Sequence, residues 1–212
     1  MLFGSIDYLN LLPFQVFLKK YFNNNRVNKT RYKNVPSKIN SAFHAKRVNA
    51  AFISSVTSRG CKCTDVGIIG KGRVYSVLLL KGETKEDSAS QTSNRLAKLL
   101  NLQGEVMIGD RALRHYLAGG EGLDLSLEWQ KKTNLPFVFA RLCYNKHEKI
   151  VKNIAKRFAN TKVYIPQYIL KKEATKRGVS ASDAKWYLNH IHYRLDYKAK
   201  KSLAKFLKAT KQ

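Results

Sequence analysis

Acidic residues are scarce in this chain: 14 Asp and Glu stand against 40 Lys and Arg, a formal charge of +26 over 212 residues. Cysteine is scarce as well. Cys61, Cys63 and Cys143 are too few, and odd in number, for a disulfide framework, which fits a reducing compartment. Long hydrophobic runs are missing: the longest apolar stretches, such as Val77 to Leu80 and Leu135 to Ala140, fall far short of the roughly 18 residues a membrane helix needs. No membrane span is expected. Met1 to Asp7 carry neither a basic segment nor an apolar one with a cleavage site, so they read as the first strand of the fold, and the expected location is the cytoplasm. What is present is a core: 44% hydrophobic and 11% aromatic residues exclude a disordered basic tail.

The charge is unevenly spread. Residues 1–82 carry 14 basic and 2 acidic residues, 83–128 carry 5 and 8, 129–145 carry 3 and 0, and 146–212 carry 18 and 4. Basic ends around an acidic-leaning centre predict a large lobe, 1–82 plus 141–212, with a small lobe, 83–140, inserted into it and a ligand cleft between. Hinges are expected near Lys81 to Thr84 and Ala140 to Leu142. Such a basic chain invites a nucleic-acid reading, but the seven basic residues between Arg26 and Arg47 are scattered singly. Neither zinc-finger spacing nor an aromatic RNA-binding motif accompanies them, so no specific nucleic-acid partner is expected. Non-specific adhesion at low salt follows from charge alone.

Periodicity alternates strands with helices, which defines an α/β fold. Residues 2–8 read as a strand, Leu9 to Leu12 as a loop, and Pro13 opens a helix carrying Phe14, Phe17, Leu18, Tyr21 and Phe22, followed by a polar turn at Asn23 to Asn25. Further strands are expected at 31–35, 50–53, 66–69, 74–80, 105–108 and 135–144, with helices from Pro36, after Ser88 to Ser93, and over 111–117, 146–158 and 167–176. A helix from Ser180 or Ser182 would carry Tyr187, Ile191 and Leu195 at i, i+4 and i+8, and a last helix presents Leu203, Phe206 and Leu207.

In open α/β sheets ligands bind at the carboxyl ends of strands. Four such edges carry small polar groups: Asn10, Ser54-Ser55, Ser90-Gln91-Thr92-Ser93 and Gly109-Asp110. The Ser90 to Ser93 cluster either caps its helix or also offers hydroxyls and free backbone N–H groups to an anion. Asp110 either caps the next helix or works as a general acid or base. His190 and His192 would point to different sides of a helix, and Cys61-Lys62-Cys63 lacks a second ligand pair, so no metal site is expected.

Ser5-Ile6-Asp7-Tyr8-Leu9-Asn10-Leu11-Leu12-Pro13-Phe14 resembles the opening motif S-x-x-Y-L-N-x-L-P of the MqnA-type chorismate dehydratases of the futalosine route to menaquinone. Phe52-Ile53-Ser54-Ser55, Val74 to Leu79, Thr92-Ser93-Asn94-Arg95-Leu96, Ile108-Gly109-Asp110-Arg111-Ala112-Leu113 and Asp124 through Trp129 to Leu135-Pro136-Phe137-Val138-Phe139-Ala140 are similar to further motifs of that family, in the same order. Gln91 and Arg141 depart from its pattern.

The resemblance implies a type II periplasmic-binding-protein-like fold, two α/β lobes joined by two crossing strands. It implies a hydro-lyase that takes chorismate to 3-[(1-carboxyvinyl)oxy]benzoate and water without a cofactor. Carried over residue by residue, it makes Asn10 catalytic and assigns substrate contacts to Tyr8, Ser54, Ser55, Ser76, Ser90, Thr92, Ser93, Gly109, Asp110 and Phe137. Loss of the C4 hydroxyl and C3 proton aromatises the ring, and the substrate's own side-chain carboxylate can take the proton. The competing readings are a non-catalytic solute-binding protein for a small carboxylate and the related MqnD-type lyase.

Overall fold

The computed structural model describes residues 1–24 and 30–210. Asn25 of the polar run and Arg26 and Lys29 of the basic segment lie outside the described residues; Asn23 and Asn24 end a helix instead of forming a turn.

The larger body is built on a six-stranded sheet of order β2-β1-β3-β8-β4-β9, formed by β1 (Leu2–Ile6), β2 (Thr30–Asn34), β3 (Ala50–Ser54), β4 (Cys63–Gly70), β8 (Phe137–Tyr144) and β9 (Ile191–Arg194). The smaller body has a three-stranded sheet, β6-β5-β7, from β5 (Val77–Leu80), β6 (Glu105–Ile108) and β7 (Leu123–Asp124). Parallel pairing of β1 with both β2 and β3 requires crossovers, supplied by α1 (Leu12–Asn24) and α2 (Pro36–His44). Phe14 of α1 is buried edge-on against Phe52 of β3 and Phe158 of α6 (Glu148–Ala159), with ring centroids 4.9 and 5.0 Å away. Each such ring contributes roughly 1.5–3 kcal/mol by burial.

The smaller body adds α3 (Gln91–Leu99), α4 (Gly109–Leu117) and α5 (Leu125–Thr133), and the chain closes with α7 (Gln167–Lys176), α8 (Ala181–Leu188) and α9 (Tyr197–Ala209). Trp129 of α5 donates its indole N–H to Ser202 of α9 at 2.8 Å, tying the two bodies together. Among the described residues no helix is long and apolar enough to cross a membrane.

Three further expectations change. Ile191 and Leu195 are not helical: α8 stops at Leu188, and Ile191–Arg194 is an edge strand whose antiparallel partner is β4. The i, i+4 spacing is a coincidence of a chain whose conformation is set by a strand far away in sequence. The run 74–80 becomes strand only from Val77, because Tyr75 has φ +60°. That costly backbone is held by Asp124, whose carboxylate accepts the N–H groups of Val74 (2.9 Å) and Tyr75 (2.7 Å) besides capping α5 through Ser126 and Leu127. The Tyr75 ring packs at tilted and edge-on angles among Tyr116, Trp186 and His190, with centroids 4.6–4.8 Å away. Finally, Cys63 and Cys143 sit opposite one another on β4 and β8 and form a disulfide, which leaves Cys61 as the free thiol. The cysteines are therefore not too few for a disulfide, and their number does not support a reducing compartment.

The chain passes between the sheets over residues 71–76 and 134–136. Both passages lie ahead of Lys81 to Thr84 and Ala140 to Leu142, where the charge pattern places hinges. Charge marks where the surface changes character, and the backbone crosses a few residues earlier.

Candidate active site

Between the two sheets lies a cleft with about 560 Å³ of atom-free space, part of it open to solvent. Its walls carry no Lys, Arg, His, Asp or Glu among the described residues. Polar side chains enter from six positions: Tyr8, Asn10 and Ser54 from the larger body, and Ser76, Ser90 and Ser93 from the smaller.

Each is placed by a local feature. Tyr8 follows the end of β1, and a 3-10 turn over Leu9–Leu11 carries Asn10. Ser54 ends β3 and is held by Asn40 of α2, which donates to Ser54 Oγ (2.9 Å) and accepts from its backbone N–H (3.0 Å). Ser90 is the N-cap of α3: its Oγ accepts the Ser93 N–H at 3.2 Å and donates to Ser93 Oγ at 2.8 Å. Gly109 opens α4 with φ +68°, and a Cβ there would lie 2.7 Å from the Tyr8 ring, so only glycine lets Tyr8 cross the cleft at this depth. Burial, helped by Asp87 and Asp110, pushes the Tyr8 phenol up to about 12, which keeps it a neutral donor.

Asn10 is gripped from behind. Its backbone carbonyl accepts the Tyr193 O–H at 2.6 Å, while its side-chain Oδ1 is buried and has no partner. Tyr187 donates its O–H to Ser76 Oγ at 2.8 Å.

The structure places four of the expected contact residues outside the cleft wall. Ser55 is fully buried and donates to the Val138 carbonyl at 2.6 Å, fastening β3 to β8. Thr92 Oγ1 accepts the Val56 N–H at 3.3 Å. Phe137 packs against Trp129 and Phe206, and the alternation of β8 puts Phe139 in the cleft in its stead. Asp110 caps nothing: it accepts the Leu9 N–H at 2.9 Å and pairs with Arg177 Nε at 3.0 Å. Arg177, with its side chain 5% exposed, also binds Asp7 (2.9 Å) and Glu173 of its own helix, so one buried guanidinium joins three carboxylates from both bodies. Burial raises Asp110, outweighing the Leu9 N–H and Arg177. At Asp7 burial is outweighed by Lys176 and Arg177, which hold that carboxyl below its usual range.

Sequence reasoning misses Asn40, Phe139, Arg177, Tyr187 and Tyr193. Asn40 alone leaves a signal, an amide set in the apolar stripe of Ile39 and Phe43. Among the described residues no group of three His, Cys, Asp or Glu comes together to hold a metal.

Two α/β bodies with a cleft between them define the class: the fold is that of the periplasmic binding proteins. The structure is similar to the periplasmic aliphatic sulphonate binding protein of Escherichia coli (TM-score 0.65, 9% identity, covering 98% of this chain and 90% of that one). It is likewise similar to a crystallised protein from Archaeoglobus fulgidus (TM-score 0.68, 11% identity, covering 98% and 95%). At such identities the likeness concerns the fold alone. Residues 95–212 match the family model described as menaquinone biosynthesis, and the whole chain is 43% identical to a chorismate dehydratase of Campylobacter jejuni subsp. jejuni, of which it covers 98%. The chain belongs to this menaquinone-biosynthesis family.

Proposed function

We propose that this protein is a chorismate dehydratase acting in the cytoplasm, a hydro-lyase that converts chorismate to 3-[(1-carboxyvinyl)oxy]benzoate and water for menaquinone synthesis. Kinship over the full chain supports the reaction. The observation that carries the mechanism is the cleft itself, uncharged and largely apolar with six polar side chains, and with the side-chain carbonyl of Asn10 left unpaired at its wall. A dianionic substrate in such a cleft is held by neutral donors, the Ser93 hydroxyl at the start of α3, which Ser90 orients by donating to its oxygen, and the Tyr8 phenol. No side chain of the wall is a strong base, so the C3 proton passes to the substrate's side-chain carboxylate. The C4–O bond breaks, and hydroxide leaves with that proton as water. Asn10 is the catalytic contact, and Tyr8, Ser54 and Ser76 complete the polar shell. The two bodies act as lobes that shut out water, where oriented hydrogen bonds count for most.

Incubation with chorismate should give the ultraviolet spectrum of an aromatic enol ether; binding without turnover would favour a solute-binding role, and an unchanged chorismate spectrum would remove the proposal. In the Ser90→Ala/Ser93→Ala variant, loss of charge-assisted hydrogen bonds worth roughly 1.5–3 kcal/mol is expected to raise KM at least about tenfold. Ser90 also caps α3, which costs about 1 kcal/mol of stability, so melting is measured beside the kinetics. Unaltered KM would make these two serines caps and nothing more.

A further inference from the structure

We infer that Asn40, a buried amide of α2 outside the cleft wall, is a positioning residue: it binds Ser54 in a way that leaves the Ser54 hydroxyl proton free to be donated to a substrate carboxylate. The inference rests on the dehydratase reading and deepens it.

Asn40 is 5% exposed and sits where α2 packs on β3. Asparagine is a poor helix former, and a buried amide costs stability unless it is hydrogen-bonded, so the position calls for partners. It has two, both on Ser54: Oδ1 accepts the Ser54 backbone N–H at 3.0 Å, and Nδ2 donates to Ser54 Oγ at 2.9 Å. The first bond decides the second. A backbone N–H can only donate, so the amide atom that meets it is the oxygen, and the atom left for Ser54 Oγ is the nitrogen, which carries two protons and accepts nothing. Ser54 Oγ is therefore an acceptor on its α2 side. Its single proton has to point elsewhere.

Ser54 lies in the cleft wall, and among the described residues no group accepts from its hydroxyl. Ser90, by contrast, gives its proton to Ser93. The wall of the larger body thus shows the cleft two unlike groups: Asn10 Oδ1, an acceptor without a donor, and the Ser54 O–H, a donor without an acceptor. A hydroxyl polarised from behind by an amide N–H is suited to an anionic oxygen, and the anionic oxygens of chorismate are those of its carboxylates.

Asn40→Asp keeps the shape of the side chain and keeps an acceptor for the Ser54 N–H, but its second oxygen accepts where Nδ2 donated. The Ser54 proton then turns back toward residue 40 and is lost to the cleft. At neutral pH, KM for chorismate is expected to rise at least about tenfold, with kcat within about threefold of wild type. Acid should undo the effect, because a protonated carboxyl at that position donates to Ser54 Oγ again; the ratio of variant to wild-type KM should shrink as the pH falls. A merely structural role would lower the melting temperature without moving that ratio. Since the substitution also adds a charge behind the wall, the deciding measurement is a double-mutant cycle with Ser54→Ala. Ser54→Ala by itself should raise KM by a similar factor, and Asn40→Asp should add less than about threefold to it. Wild-type KM in either single variant, or an equal fold rise from Asn40→Asp in both backgrounds, would overturn the inference. Should Asn40→Asp not fold, Ser54→Ala decides: a tenfold rise in KM upholds the free donor and a wild-type KM removes it. Absence of turnover in the wild type would instead overturn the dehydratase reading.

Discussion

Asn10→Asp is expected to abolish dehydration while leaving the fold intact. The change is nearly isosteric, and the contact that anchors the residue, Tyr193 to its backbone carbonyl, does not involve the side chain. What changes is charge. The wall of the cleft holds no cation to offset a new carboxylate, and the substrate carries two of its own. At about 4 Å and an effective dielectric near 20 the repulsion is on the order of 4 kcal/mol, roughly a thousandfold in affinity or rate. Circular dichroism should be unchanged and melting within a few degrees of wild type. Should the variant retain more than about a tenth of wild-type kcat/KM, a loss under about 1.4 kcal/mol, Asn10 is not at the reacting centre.

Arg177→Met is expected to have the largest effect on stability. The guanidinium is nearly inaccessible and faces Asp7, Asp110 and Glu173. Removing it strands Asp110, the most buried of the three carboxylates, while Asp7 keeps Lys176 and both Asp7 and Glu173 keep access to water; breaking a buried pair costs about 3–5 kcal/mol, an upper figure for this partly solvated network. For a chain of this size that lowers the melting temperature by up to roughly ten degrees. The pH dependence has a definite sign. Asp7 has a lowered pKa, so its contribution is present above the ordinary Asp value and is lost as the medium is acidified through the lower folded-state value. The gap between wild type and variant should narrow over that acidic window. Melting curves at neutral pH and near pH 3 test this, and a neutral-pH shift under about two degrees would mean that the network contributes little.

Much of the architecture is legible in the chain because its signals are local. Ser90 to Ser93 announce the start of α3, Gly109-Asp110 the turn from β6 into α4, and Gly178 the end of α7. The polar positions of the cleft are legible for the same reason, since they fall at strand ends and helix starts. What the chain conceals depends on partners far away in sequence. Whether Phe137 or Phe139 faces the cleft turns on the pleat of β8, and either aromatic satisfies a hydrophobic pattern. Tyr187 reads as an apolar helix position, and its burial agrees with that; its hydroxyl acquires a role only when α8 meets Ser76, 111 residues earlier. Arg177 reads as one cation among 40, and nothing local marks it as buried.

Tyr75, fixed in a left-handed backbone by Asp124 and wedged among three rings from both bodies, bears on what kind of machine this fold has become. A receptor that captures a solute and hands it to another molecule needs a joint that swings widely, because release depends on exposing the ligand again. Here one of the two connections is held: a swing through residues 71–76 would have to give up the ring contacts with Tyr116 and Trp186 and strain the carboxylate clamp at the same time. Such a joint resists wide opening. That suits an elimination, in which water is a product to be expelled, better than carriage of a cargo.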